Sequence, residues 1–436
     1  MKKNNQPILE SVKAAESKLL LQTYERNPVL FTEGDGVYLK DENGTTYLDM
    51  LSGLGVSALG HSHPVIVDAI AAQSRKMLHI SNLFYHEGQA ALALRLTEMT
   101  GMDRAFFCNS GTEAWEAALK LARAHATRLR SQGKKLGTKI LALEHSFHGR
   151  TMGSVATTHK AKYREPFDPV MPNVAFVAFD DIEDLRASFS DEVCAICIEP
   201  VQGEGGIRPV SKEFFAVARE LCNQTGALLL ADEIQCGMGR TGEWCAYQHY
   251  GILPDVVTLA KPLAGGIPIG TMLCTEEAAL AFSPGMHGTT FGGGPLACAV
   301  SIAAIDWMRQ NKILQHVQQV GAYFQQQLQG LAAKHSNVID VRGLGLMLCV
   351  ELDSADDAKK AAAAMLDQHI IINRTSETVL RFLPPFVIEK KHVDLTVAAL
   401  DSILTQIQKQ HQHQDQLQEQ TQEQPSPVLA GEAHHG

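Results

Sequence analysis

No uninterrupted apolar stretch in this chain of 436 residues approaches the ~20 residues a helix needs to cross a bilayer. A basic excess is missing too. The formal net charge of −10 argues against a general polyanion binder, so neither a membrane nor a nucleic acid is an expected partner. The nine cysteines follow no repeated ligand spacing. Cys194 and Cys197 form a C-x-x-C, but they lie in a strand-like run where residues three apart face opposite ways, which opposes a metal or redox site. The first ten residues, Met1 to Glu10, are polar and soon acidic, without the apolar core of a secretion signal. A cytoplasmic protein with reduced thiols is the expectation.

What is present is length enough for two domains and a 45% apolar fraction that can fill their cores. The stretch from Ala227 to Gly270 is the most informative. Ala227 to Ala231 is an apolar run of strand length that stops at Asp232 and Glu233. Asp255 to Ala260 is another, stopping at Lys261, with Pro262 and Gly265-Gly266 beyond. In a parallel α/β sheet both runs would deliver their last residues to the carboxyl edge, where such sheets bind ligands. A partly desolvated lysine there can condense with a carbonyl, and a fixed anion can serve a ring nitrogen. A capped strand end and a solvated surface lysine are the plainer reading of an isolated Asp and Lys.

Strand and helix patterns alternate from Arg104 onward, the signature of a largely parallel sheet with helices on both faces. The strand candidates are 104–108, 139–143, 174–179, 193–198, 227–231, 256–260 and 269–274, with helices at 112–129, 212–225 and 295–309 among them. A helix near 8–22, a hairpin over 37–48 around Asn43-Gly44, a long helix at 312–334 and strands near 338–352, 370–373 and 379–382 complete the pattern. The expected division is an amino-terminal segment 1–63, a large domain 64–310, a small domain 311–408 that the first segment joins, and a glutamine- and histidine-rich tail 409–436. Such a tail buries too little apolar surface to order itself. His61 and His63 sit in a glycine-rich loop without a carboxylate or cysteine cluster and suit a turn and helix entry.

Ser110, Gly111 and Thr112 follow a strand and open a helix, so their backbone N–H groups can hold a phosphate, or the segment is an ordinary N-cap. In Glu144-His-Ser-Phe-His-Gly-Arg-Thr151, Phe147 can stack on a planar ring and Arg150 can grip a carboxylate. Gly237-Met-Gly-Arg-Thr-Gly242 also fits G-x-G-x-x-G, the dinucleotide fingerprint. Asp232 and Glu233 would stand where a pyrophosphate must approach, and no extended helix start follows, which opposes that reading.

Leu230 to Gly242 together with Thr258 to Gly266 resemble the class III aminotransferases, enzymes of fold type I that use pyridoxal 5'-phosphate (PLP). The likeness runs from about Leu21 to Ile407. It implies a large domain with a mostly parallel central sheet and a smaller, discontinuous α/β domain. It assigns Lys261 and Asp232 as catalytic, the lysine holding PLP and the carboxylate facing its ring nitrogen. Ser110, Gly111, Thr112, Phe147, Gln235 and Thr290 become cofactor contacts, Thr290 reaching the phosphate of a neighbouring subunit in a homodimer. Arg150 would bind the substrate carboxylate, and Glu204 would pair with Arg381 and release it to a dicarboxylate such as 2-oxoglutarate; a purely structural ion pair is the alternative. The chain departs from the family at Trp115 and Gly294, where asparagine is usual; Trp115 reads as packing. Phe31 to His63, Asn82 to Tyr85 and the Arg150 and Arg381 segments look most like the branch that acts on N-acylated ornithine. Leu54 fits, being aliphatic where ornithine aminotransferases carry tyrosine. Other ω-amino donors, and an aminomutase that needs no oxo acid, stay open.

Overall fold

The computed structural model describes residues 8–422. Its centre is a seven-stranded sheet in the spatial order 104–108, 270–274, 256–259, 228–232, 193–198, 139–143, 174–177. Five neighbours from Val256–Leu259 to Val174–Val177 pair in parallel. Gly270–Cys274 runs antiparallel to both its neighbours, Val256–Leu259 and Arg104–Cys108. The parallel strands are covered on both faces, which explains their unbroken apolar runs: every residue of Val193–Ile198 and Leu228–Asp232 is buried. Cys194 and Cys197 lie in that core, and all nine cysteines are free and buried.

Helices start and stop where local chemistry dictates. Ser211 caps Lys212–Thr225 by accepting from the Phe214 N–H, and Gly226 ends it with φ 86°, a conformation that favours glycine. His63 caps Pro64–Ser74 through Nδ1, while His61 Nε2 meets Asp49 Oδ2 at 2.7 Å, so both histidines shape the turn. Gly294 precedes Pro295–Gln310 without a side-chain cap, a place where asparagine would supply one.

The amino-terminal strands Phe31–Asp35, Tyr38–Asp41 and Thr46–Asp49 form a sheet completed by Ile370–Ile371, which pairs in parallel with the third. The strand at Phe31–Asp35 was not evident from the sequence, since its alternation is broken by Gly34 and a register shift after Phe31. A second antiparallel sheet takes the order 338–344, 347–352, 379–382, 373–375, so the stretch 338–352 is a hairpin.

The last helix runs from Lys390 to Gln422, past Lys409, where the tail was expected to begin. Glutamine, lysine and glutamate are sound helix formers, and the helix is anchored by buried Leu400, Ile403, Leu404 and Ile407. The remainder of that tail, 423–436, lies outside the described residues. Among the described residues no helix is long and apolar enough to cross a membrane.

Candidate active site

The carboxyl edge of the parallel strands opens on a cavity of about 360 Å³. Ser110, Gly111, Thr112, Phe147, Asp232, Gln235 and Lys261 all line it. Asp232 is the final residue of its strand and Lys261 follows the neighbouring one by two positions, so parallel pairing sets the two side by side.

Ser110 caps the helix Gly111–Ser131: its Oγ accepts from the Glu113 N–H at 3.3 Å, and the Asn109 N–H donates to Glu113 Oε2. The N-cap reading is therefore correct for the serine hydroxyl. Thr112 Oγ1 is likewise engaged, 2.8 Å from Thr151 Oγ1 and from Ser154 Oγ. What the segment turns to the cavity is the start of a 21-residue helix, whose first N–H groups and dipole suit an anion. Its walls are set by missing side chains: a Cβ at Gly111 would lie 2.9 Å from Ile234 Cδ1, and one at Gly270 only 2.2 Å from the Ser110 carbonyl oxygen.

Asp232 is buried and held on both oxygens. Oδ1 accepts from the Ile234 N–H at 3.1 Å and the Thr258 hydroxyl at 3.2 Å, while Oδ2 lies 2.6 Å from His148 Nδ1. Burial lowers the Lys261 ammonium below the ordinary lysine range, and Arg381 adds to this; Glu204, Asp232 and Glu199 pull the other way. Glu199 receives the Phe147 N–H at 2.9 Å and the Gly203 N–H at 3.2 Å, fixing the loop that carries Phe147. Burial pushes its carboxyl up to about 7.

Arg381, wholly buried, donates to Glu204 Oε1 at 2.6 Å, to Gln235 Oε1 at 3.1 Å and to Asn373 Oδ1 at 3.0 Å. Burial alone would raise the Glu204 carboxyl, but the guanidinium beside it holds it below its usual range. Gln235 joins this pair to the cavity it lines.

Five candidates do not line the cavity: Glu204 lines the neighbouring one and Arg381 is buried behind Gln235, while Arg150, Leu54 and Thr290 lie outside both. Arg150 is exposed, its guanidinium lying 3.7 Å from the centre of the Tyr163 ring. Leu54 sits at φ 64° in the turn Ser52–Gly55 and is 41% exposed; Val56, two residues on, takes the place at the wall. Thr290 is exposed on the loop before Pro295, although the adjacent Thr289 hydroxyl accepts from Asn109 Nδ2 at 3.1 Å. Gly237–Gly242 forms a turn against the helix Ile313–Lys334, Gly242 meeting Gln318, and opens no helix.

His148 escaped the sequence reading. It is buried and lines the cavity, and its ring stacks on Trp115 at 4.2 Å between centroids and 9° between planes. The signal available was its place one residue after Phe147, beyond a strand that ends at the same edge as Asp232.

The cavity fits PLP on its own donors: a helix start for a phosphate, Phe147 for a ring face, a doubly anchored carboxylate for a ring nitrogen, and an amine whose charge burial disfavours. These features define a PLP-dependent transaminase of the class III family. The family profile described as "Aminotransferase class-III" matches residues 21–404, and the chain belongs to that family. The acetylornithine aminotransferase of Methanocaldococcus jannaschii is 46% identical over 396 residues, covering 90% of this chain and 98% of that one. That of Aquifex aeolicus is 43% identical over 386 residues, covering 88% and 99%. Among solved structures, the ornithine aminotransferase of Toxoplasma gondii superimposes with TM-score 0.88 at 30% identity, covering 93% of this chain and 97% of that one. An amine transaminase from an uncultivated Pseudomonas species, in its PLP-bound form, gives 0.83 at 27% identity over 89% and 98%.

Proposed function

We propose that this chain transfers the δ-amino group of N-acetylornithine to 2-oxoglutarate, giving N-acetylglutamate 5-semialdehyde and glutamate, as a cytoplasmic homodimer in arginine biosynthesis. The observation that carries the reading is the Glu204–Arg381 pair beside Gln235, a buried cation already covered by a displaceable carboxylate. Covered, the site accepts a donor arm ending in an amine; uncovered, it accepts a second carboxylate. Relatives named acetylornithine aminotransferase at 41–46% identity support this choice of donor.

When bound, PLP supplies an aldehyde and a ring that accepts electrons. Lys261 would hold it, and its Nζ, once free, would take the proton from the donor carbon and deliver it to the carbon of the former aldehyde, a task that the lowered ammonium pKa favours. Asp232, held by Thr258, Ile234 and His148, would keep a proton on the ring nitrogen. Phe147, on the cavity wall, would offer its face to the ring and shield it from water. Arg150 takes the donor α-carboxylate after leaving Tyr163, and Leu54 meets the acyl end of the donor.

The homodimer reading is supported by an apolar surface beside Thr290. Leu83, Phe84, Tyr85 and Phe291 are each at least 65% exposed, a patch that a second copy would cover. Thr290 would then meet the partner's cofactor phosphate. A second reading of the donor rests on the neighbouring cavity of about 730 Å³, which shares Phe147 and carries Lys160, Lys162, Arg208 and Arg374 on its walls. These cations favour a donor whose acyl arm bears its own carboxylate, as in succinylornithine.

The test is the absorption spectrum of the PLP-loaded protein while N-acetylornithine, succinylornithine, ornithine or 4-aminobutyrate is added without an oxo acid. Loss of the near-visible band at far lower N-acetylornithine than any other amine is expected. A preference for another amine overturns the donor, and turnover without any oxo acid overturns transamination in favour of a mutase.

A further inference from the structure

We propose that Trp115 is a positioning residue for the cofactor-facing carboxylate, acting on Asp232 through His148. The inference rests on the assignment of Asp232 to the ring nitrogen of PLP.

The argument starts from how an imidazole is oriented in a protein. One nitrogen does the work and a hydrogen bond at the other normally fixes the ring. His148 has the first, Nδ1 at 2.6 Å from Asp232 Oδ2, but its Nε2 is buried with no partner. A ring held at one corner can swing about that corner. Here the indole of Trp115 lies flat against it, 4.2 Å away and 9° from parallel, which leaves the imidazole one plane to occupy.

The indole is itself pinned. Trp115 is fully buried, and its Nε1–H donates to Thr157 Oγ1 at 3.0 Å. That hydroxyl lies 3.1 Å from the Ser154 carbonyl, to which it donates. The next residue, Thr158, accepts from the His148 N–H through Oγ1 at 3.0 Å. One turn, 154–158, therefore holds the indole and the histidine backbone in register. Trp115 does not line the cavity, and the cavity residue it lies directly against is His148.

The experiment uses the full chain with the substitutions W115F, W115L, W115N, H148N and the double variants W115F/H148N and W115L/H148N. In cofactor-free protein labelled with 15N-histidine, the His148 Nδ1–H proton is followed by NMR; in loaded protein, the rate of PLP loss on dialysis is measured. W115F, which keeps a flat face, should retain the proton signal and lose PLP within about threefold of the parent rate. W115L and W115N should broaden or lose the signal and release PLP about tenfold faster, the scale seen when an outer partner is removed. In the H148N background, W115L should add nothing beyond W115F. An unchanged Nδ1–H signal in W115L overturns the proposal, as does the same acceleration with and without His148. Should W115N fail to fold, W115L and W115F carry both readouts. D232N separates the two levels: unaltered PLP retention and spectrum in D232N overturn the Asp232 assignment, whereas the NMR arm reports on Trp115 and His148 without cofactor.

Discussion

Replacing Glu204 by glutamine tests how one pocket serves two substrates. Breaking a wholly buried ion pair costs ~3–5 kcal/mol, whereas an exposed pair contributes ~0.2–1 kcal/mol. Arg381 is 1% exposed at its side chain but Glu204 is 34% exposed, and Gln235 and Asn373 continue to hold the guanidinium when the carboxylate goes. The pair should therefore contribute about 1.5 kcal/mol. An incoming dicarboxylate must displace that contact, so Glu204→Gln should tighten 2-oxoglutarate by about tenfold, since 1.4 kcal/mol is one decade. The amino donor should bind more weakly, because its cationic end now faces an uncovered guanidinium. The assay is rapid mixing of each half-reaction alone, followed through the cofactor absorption, with the saturation constant taken from each. The reasoning is refuted if Glu204→Gln binds 2-oxoglutarate no tighter while the protein merely loses stability, for the pair would then be a strut.

Lys261→Ala should leave no measurable transamination and no near-visible band on adding PLP, both read in the same cuvette. Asp232→Asn should lower kcat by about a hundredfold or more with little change in donor saturation, measured by steady-state kinetics. In cofactor-free protein, Lys261→Met should raise the thermal midpoint near pH 7. Burial holds the folded ammonium below the pKa of the unfolded chain, so between those two pKa values the unfolded state binds more protons and the native state loses stability as pH falls. The gap between the two proteins should close as pH rises to the ordinary lysine range, which calorimetry across pH checks. Thr290→Ala should speed PLP loss in dialysis although Thr290 does not line its own chain's cavity.

How much of this site could be read in advance depended on the reach of each signal. Asp232 and Lys261 were legible because an apolar run of strand length names its own end, and two such runs in a parallel sheet end at one edge. The antiparallel direction of Gly270–Cys274 was not, since a fully buried strand looks alike whichever way its neighbours run. Leu54 was placed near the substrate by resemblance alone, and the left-handed turn that carries it outward leaves no mark in a Leu-Ser-Gly-Leu-Gly string beyond its glycines. Trp115 was read as packing from its helical spacing, and its burial agrees. What the spacing could not disclose was the histidine, 33 residues further on in the sequence, against which the indole lies. Arg150 is a case where resemblance names a role that the residues alone do not, and its guanidinium rests on Tyr163.

The reversed strand Gly270–Cys274 has a consequence for how this enzyme can change. Because it runs against its neighbours, it brings its first residue, not its last, to the working edge, and that residue abuts the Ser110 carbonyl so closely that even a methyl group would land 2.2 Å from the oxygen. Two backbone segments thus abut at the start of the helix Gly111–Ser131, with no side chain between them to trim or enlarge. Selection for new substrates has no purchase on that wall. The replaceable side chains lie instead on the neighbouring cavity, at Lys160, Lys162, Tyr163, Arg208 and Arg374.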